Sequence, residues 1–181
     1  MKMKLRSAIA GLAAVALAST ASAALVTYNF NGVNSGSNFS SYTNGDLTVT
    51  GNKINGSAAG FGIKRNLFDS GEVDGAFGND RITFSFGSAV TLTQINFRHF
   101  DGNDDFVLWA DGAYQGSFDQ DPFNTSIAGS VFKVGANGSF DNFRLSSITV
   151  DTGAVAASEP ATLAMLGLGA LAVGFARRKA S

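Results

Sequence analysis

The sequence contains no cysteine and only one histidine, His99. The absence of cysteine excludes a disulfide scaffold, thiolate metal sites and a thiol nucleophile, and a single histidine excludes metal sites built from several imidazoles. Basic residues are scarce between Ala24 and Ala157, where seven stand against 13 acidic residues. Because nucleic-acid phosphates are bound by clustered Lys and Arg, this acidic segment is predicted not to bind nucleic acid.

The other basic residues stand at the two ends of the chain, each group beside an apolar run. At the N-terminal end, the basic stretch from Met1 to Arg6 precedes an Ala- and Leu-rich run and a small-residue A-x-A site. This order predicts a secretory signal peptide over residues 1–23, cleaved between Ala23 and Ala24. An uncleaved membrane anchor is the alternative. The predicted partners are the secretory export machinery and signal peptidase.

The C-terminal end carries a second apolar run. It reads Ser158-Glu159-Pro160-Ala161-Thr162, then Leu, Gly and Ala residues, then Arg177-Arg178-Lys179. As a helix, the run spans about 24 Å against the roughly 30 Å of a bilayer core, a gap that long basic side chains close by snorkelling. We expect a short hydrophobic helix in the inner membrane, with the basic cluster on the cytoplasmic side. The alternative is an amphipathic helix packed on the domain.

This tail resembles the PEP-CTERM sorting signal of Gram-negative bacteria. The resemblance covers residues 159–181, behind a predicted linker at 154–158, and its motif lies on Glu159-Pro160-Ala161-Thr162. Ser158 stands where the family usually has its first Pro. The resemblance implies transient retention in the inner membrane, cleavage near the motif by an exosortase, which is a membrane transpeptidase-like protease, and delivery to the cell surface or extracellular matrix.

Between the ends, residues 24–153 alternate short β-branched and aromatic runs with Asn-Gly, Asp-Gly and Gly-Ser pairs. This spacing predicts an all-β fold, an antiparallel β-sandwich of the jelly-roll type. The predicted strands are Leu25–Phe30, Asp46–Thr50, Arg81–Phe86, Val90–Phe100, Asp105–Asp111, Ala113–Phe118, Ser130–Val134 and Asn142–Val150. The polar residues 35–61 are expected to form long loops around one strand. Fifteen of the 16 Phe residues lie in this region and are expected to form the core.

Two of the predicted strands change the parity of their apolar residues midway. The change falls between Leu92 and Ile95 in one strand, and between Leu145 and Ile148 in the other. Since side chains alternate strictly along a regular strand, a bulge or bend is predicted at each position.

The densest polar feature is the turn Asp101-Gly102-Asn103-Asp104-Asp105. A second acidic segment contains Glu72 and Asp74, whose side chains share one face if the segment is extended. Because Ca²⁺ takes about six to eight oxygen ligands, one hypothesis is a calcium site. Its ligands would be Glu72, Asp74, Asp101, Asp104 and Asp105. The other hypothesis is that Asp-Gly and Asn-Gly pairs form hairpin turns without any metal.

Hydrolytic chemistry is not favoured by these residues. Glycoside hydrolysis needs two carboxyl groups facing each other at about 5–10 Å, whereas adjacent Asp104 and Asp105 in a strand would point to opposite faces. A Ser-His-Asp triad would have to use His99, and the sequence contains no Gly-x-Ser-x-Gly elbow. We therefore expect His99 to be a strand histidine hydrogen-bonded to a neighbouring Asp, and we predict that the chain is not an enzyme.

Trp109 is the only tryptophan, and it lies on the strand parity opposite to Phe106 and Leu108. Packing in the core is the expected place for it, and exposure would instead offer a stacking surface for a sugar ring. Tyr28, Tyr42 and Tyr114 are further aromatic candidates.

The sequence as a whole supports two hypotheses about function. The first is an exported, non-enzymatic surface or extracellular-matrix protein associated with exopolysaccharide and biofilm. The second is a calcium-stabilised jelly-roll carbohydrate-binding module with Trp109 in its ligand site.

Overall fold

The computed structural model describes residues 24–76 and 78–153. The predicted signal peptide, the linker and the sorting segment lie outside the described residues. Within the described part of the chain, no helix has the length and apolar character needed to cross a membrane.

Ten strands make up one hydrogen-bonded system, and every pairing among them is antiparallel. They are β1 (Leu25–Asn29), β2 (Asn38–Asn44), β3 (Leu47–Ser57), β4 (Gly60–Ile63), β5 (Val73–Asp74), β6 (Arg81–Arg98), β7 (Phe106–Ala110), β8 (Ala113–Phe118), β9 (Phe123–Ala136) and β10 (Asn142–Asp151). The all-β prediction is confirmed, and the arrangement is sandwich-like.

The 18-residue strand β6 organises the fold. Its first half pairs with β3 and its second half with β10, while β9 runs beside both halves. Pairing with β9 is interrupted between Ser85 and Val90, which marks a bulge or irregularity in the pairing of the two long strands. Because β4 joins β3 to β10, the strands β3, β4, β10 and β6 close into a circuit around the core. Strand β6 covers both of the strands predicted at 81–86 and 90–100, which are therefore a single strand that ends at Arg98.

The predicted changes of parity are confirmed as irregularities in strand register. In the pairing of β6 with β10, β6 has an extra residue between Leu92 and Gln94, and β10 has an extra residue between Leu145 and Ser147. An extra residue in one strand reverses the side-chain alternation beyond it. Apolar residues on both sides of each shift, including Ile95, are consequently buried in the same core.

Phenylalanine dominates the core, as predicted. Nine Phe side chains are buried among the described residues, and the ring centres of Phe30 and Phe61 lie 4.7 Å apart in a stacked pair. At the other end of the core, Phe97 packs against Phe106 at 4.7 Å. The exceptions are Phe68 and Phe140, which are 92% and 87% exposed.

The prediction of long loops over residues 35–61 is wrong. This region contains β2, β3 and the start of β4. Most residues of β2 are exposed, and within the described part of the chain its one partner strand is β3, so its Ser, Thr and Asn residues show little hydrophobic pattern. Gly56 lies within β3, where a Cβ atom would collide with the carbonyl oxygen of Val33. The glycine there permits a close approach of two backbones.

Candidate functional site

The two acidic segments of the sequence meet at one end of the domain. The short strand β5 pairs with the start of β10, which places Glu72 and Asp74 beside the loop at 137–142. These two carboxylates border an open recess of about 360 Å³. An adjoining recess of about 580 Å³ is lined by Asp101, Asn103, Phe140 and Asn142. The structure therefore brings the two acidic segments together at this end of the domain.

Two buried carboxylates clamp the loops at this end together. Asp104 accepts a hydrogen bond from the backbone N–H of Asn142 at 2.8 Å, and Asp141 accepts one from the N–H of Asp105 at 3.1 Å. Asp104 also accepts the N–H of Asp101 at 2.6 Å, and Asp141 accepts two N–H groups from residues 137–138. Burial raises the pKa of Asp104, and these backbone hydrogen bonds partly offset that effect. We name this reciprocal pair the loop clamp.

The other predicted calcium ligands are also engaged by the protein. Asp74 accepts hydrogen bonds from the Ser70 hydroxyl at 3.2 Å and the Ala76 N–H at 3.1 Å. Asp105 takes part in the clamp through its backbone N–H. Among residues 24–76 and 78–153, no three His, Cys, Asp or Glu side chains are grouped so that they could hold a metal ion. Calcium binding stays a prediction.

His99 differs from its prediction in both conformation and partner. It lies one residue beyond the end of β6 with a left-handed backbone, φ 58°. Its Nδ1 atom lies 2.5 Å from Oε1 of Glu72, so the partner is a glutamate from another segment and not a neighbouring aspartate. The chain turns sharply after Arg98, and this turn brings the imidazole to Glu72.

A buried ion pair, which the sequence did not indicate, lies near the acidic end. Asp80 is 1% exposed and its Oδ1 atom is 2.7 Å from the guanidinium of Arg65. Burial raises the pKa of Asp80 to about 6, although the charge of Arg65 and a hydrogen bond from the Asp74 N–H lower it. Asp80 directly precedes β6.

Trp109 lies on the outer face of the sheet, and the expectation that it packs in the core is wrong. Its strand parity is as predicted, since Phe106, Leu108 and Ala110 point into the core and Trp109 does not. The half-buried ring has Tyr114 at 5.8 Å between ring centres. The guanidinium carbon of Arg81 is 4.6 Å from the ring centre, and the ammonium of Lys133 is 6.0 Å from it.

Strand register places these four side chains together. Trp109 pairs directly with Lys133 of β9 and with Tyr114 of β8. Arg81 belongs to β6, which is separated from β7 by β9, and its partner in β9 is Gly135. A Cβ atom at Gly135 would lie 2.8 Å from Cγ of Arg81. The missing side chain therefore lets Arg81 cross β9 and reach the tryptophan.

The register extends this contact into a line of solvent-facing side chains across six strands. The line runs through Ser41, Thr50, Thr83, Lys133, Trp109 and Tyr114, each paired with the next, and none of them is buried. At about 4.8 Å per strand, it is about 24 Å long. We call it the cross-strand row. The register that aligns these six residues comes from the pairing of separate strands, and Ser41 lies in the segment that was expected to form loops.

The comparison with family models concerns the C-terminal tail. Residues 156–179 match the family described as the PEP-CTERM protein-sorting motif, which confirms the resemblance found at Glu159-Pro160-Ala161-Thr162 and the basic cluster. No curated protein and no solved structure matches the chain. The chain is therefore an exported protein with a C-terminal PEP-CTERM sorting motif, which targets it to an exosortase and to the cell envelope or surface.

Proposed function

We propose that the β domain is a non-enzymatic module that associates with extracellular polysaccharide, so that the processed protein forms part of the cell surface or the biofilm matrix. The cross-strand row carries this proposal. Sugar rings stack their C–H faces on aromatic side chains, and their hydroxyls exchange hydrogen bonds with Ser and Thr. A row about 24 Å long suits an extended chain better than a single sugar.

The exposure of the aromatic residues supports this use of the row. Tyr114 is 58% exposed and Trp109 is half-buried, whereas phenylalanine supplies most of the buried aromatic rings of the described core. The remaining row positions are Ser, Thr and Lys, which leave the face polar and wettable. Since the row lies on paired strands and not on loops, its side chains are held at fixed spacings before a ligand arrives.

The test uses the exported protein purified from its host together with the host's own exopolysaccharide. We expect wild type to co-sediment with the polysaccharide and the double variant Trp109→Ala, Tyr114→Ala to lose most of this binding. Phe68→Ala is the matched control, because it removes an aromatic side chain that is 92% exposed and lies outside the row. A wild-type protein that stays in the supernatant, or a double variant that binds equally well, would refute the proposal.

The non-enzymatic part of the proposal is supported by how the acidic residues are used. The buried carboxylates of Asp104 and Asp141 accept backbone N–H groups and thereby hold loops together. We expect no new reducing ends when the protein is incubated with the polysaccharide that it binds. Release of reducing ends by wild type but not by Asp104→Asn would overturn this expectation.

A second candidate is a calcium-stabilised carbohydrate-binding module. It is favoured by the way Glu72, Asp74 and Asp101 border two adjoining recesses at the loop end. Thermal melting with added CaCl₂ or EGTA tests it. A rise in melting temperature with calcium that Glu72→Gln abolishes would support this candidate, and an unchanged melting curve would exclude it.

A further inference from the structure

We infer that the cross-strand row takes a carboxylate-bearing polysaccharide, one that contains uronic acid units, in preference to a neutral glycan. The inference rests on the proposed function and names the ligand class for the same surface. It depends on two cations, Arg81 and Lys133, which lie beside the aromatic residues of the row.

Both cations are available to an external anion. Among the described residues, neither Arg81 nor Lys133 forms a salt bridge. This is notable in a segment where acidic residues outnumber basic ones by 13 to seven. Two of the other basic residues are used internally, since Arg65 pairs with Asp80 and Arg144 is buried with its guanidinium on Asn55. A cation held against an aromatic ring keeps N–H donors for other acceptors, so Arg81 and Lys133 remain able to bind a carboxylate.

Two acidic side chains lie close in sequence to Arg81 or Trp109, and in the described part of the chain neither forms a salt bridge with Arg81 or Lys133. Asp80 directly precedes Arg81 in sequence, but it is buried and paired with Arg65. Asp111 follows Trp109 by two residues, and its Oδ1 atom accepts hydrogen bonds from Ser130 and Val131. The predicted calcium ligands lie at the loop end, around the two recesses. Repulsion from those more distant charges is screened over about 8 Å at physiological ionic strength.

The two aromatic residues and the two cations have different roles in binding the polysaccharide. Trp109 is a positioning residue, because its ring holds the Arg81 guanidinium at 4.6 Å and the Lys133 ammonium at 6.0 Å. Tyr114 is the more exposed aromatic ring, at 58%, and supplies the stacking surface for a pyranose. Arg81 has the planar donor set that matches a carboxylate, and Lys133 adds a point charge within the row. A uronate fits both the aromatic ring and the two cations, since it has a pyranose ring and a carboxylate on that ring.

Polygalacturonate and its fully methyl-esterified form make a matched pair of probes. They share one backbone and differ in whether the carboxyl group is charged. Calorimetric titration of the exported protein should give at least tenfold tighter binding to the acid form. Arg81→Gln with Lys133→Gln should reduce that affinity to the level of the ester. Arg98→Gln is the control, because Arg98 is an exposed arginine in the same strand, outside the row.

Each alternative result has a defined meaning. Equal binding to both forms would refute the preference for uronates and leave the proposed function standing. Loss of binding to these polymers and to the host polysaccharide alike would refute both. Polyacrylate carries carboxylates without sugar rings, so equal binding to polyacrylate would reduce the effect to charge attraction and overturn the inference. Tyr114→Ala should weaken polygalacturonate binding and leave any polyacrylate binding unchanged. Weaker polyacrylate binding with unchanged polygalacturonate binding would also overturn the inference.

Discussion

The guanidinium carbon of Arg81 lies 4.6 Å from the centre of the Trp109 ring, although the strands that carry them are not neighbours. The intervening strand β9 has Gly135 at the crossing point. One absent side chain therefore determines whether a cation from β6 reaches the only tryptophan of the chain. This arrangement makes the outer face of the sheet testable by substitutions that leave the core untouched.

Arg81→Ala should lower the free energy of unfolding by about 0.5–1 kcal/mol, because it removes the cation from the ring face. The emission of Trp109 reports on unfolding directly, since there is no other tryptophan. Urea titrations followed at this emission measure the change. Arg98→Ala also removes an exposed arginine from β6, but it touches no aromatic ring in the described structure, so its effect should be smaller. Equal losses for the two variants would contradict a specific role for the ring contact.

Gly135→Ala should destabilise the domain by about 1–3 kcal/mol, the range for overpacking. The new Cβ atom would lie 2.5 Å from the carbonyl oxygen of Asp80 and 2.8 Å from Cγ of Arg81, so backbone as well as side chain must shift. The matched control is Gly87→Ala, since Gly87 has no atom within 4 Å of the added methyl group. Urea unfolding should show the loss at position 135 and little change at 87. The reverse order would mean that β9 accommodates a side chain at this crossing.

The sequence could predict how side chains alternate between the two faces of each strand. Ile82, Phe84 and Phe86 alternate with polar residues and face the core, and the parity changes near Leu92 and Leu145 correspond to register shifts. These features are local, because each depends on a pattern within one strand. For the same reason, the sequence placed Trp109 on the strand parity opposite to Phe106 and Leu108, although the expectation that Trp109 packs in the core was wrong.

The features that could not be predicted from the sequence depend on pairing between segments that are distant along the chain. The cross-strand row needs the register of six strands, and no single strand carries that information. The partner of His99 is Glu72, 27 residues earlier, and the two meet because the chain turns sharply after Arg98. Polar strands such as β2 were missed because edge strands bury few side chains and so lack a hydrophobic period. Of the residues in the predicted calcium site, Asp104 has a buried carboxylate that accepts backbone N–H groups from two loops.

Asp141→Ala should cost about 2–4 kcal/mol of stability. Its carboxylate is buried and accepts three backbone N–H groups, which would be left without an acceptor in the variant. Asp105→Ala is the control, because Asp105 contributes its backbone N–H to the loop clamp and the substitution keeps that group. Urea unfolding of both variants measures the difference. A loss at Asp105 as large as that at Asp141 would show that the clamp is not formed by the Asp141 carboxylate.

The free energy of unfolding should fall as pH rises from about 4 to about 6. The pKa of Asp80 is raised from 3.8 to about 6 by burial, so in this window the folded state keeps a proton that the unfolded chain has released. The stabilisation is fully present below pH 3.8 and is lost as pH rises through about 6, with a total on the order of 3 kcal/mol. The raised pKa of Asp104 acts in the same direction.

Asp80→Asn should flatten this pH dependence, whatever its effect on overall stability. Urea unfolding at pH 4, 5, 6 and 7 gives the slope for each variant. Asp119→Asn removes an exposed carboxyl and should keep the wild-type slope. A slope in Asp80→Asn as steep as that of wild type would rule out Asp80 as its source.

Processing of the two ends should leave a mature protein that begins near Ala24 and ends between Ser158 and Pro160. Mass spectrometry of the protein from the extracellular fraction measures both termini. Ser158→Pro restores the residue usual in the sorting family and should raise the processed fraction, whereas replacing the basic cluster Arg177-Arg178-Lys179 by glutamine should lower it, because positive charge holds that end on the cytoplasmic side. Thr162→Ser is a conservative control within the matched segment. Recovery of an intact basic C-terminal peptide outside the cell would contradict cleavage at the motif.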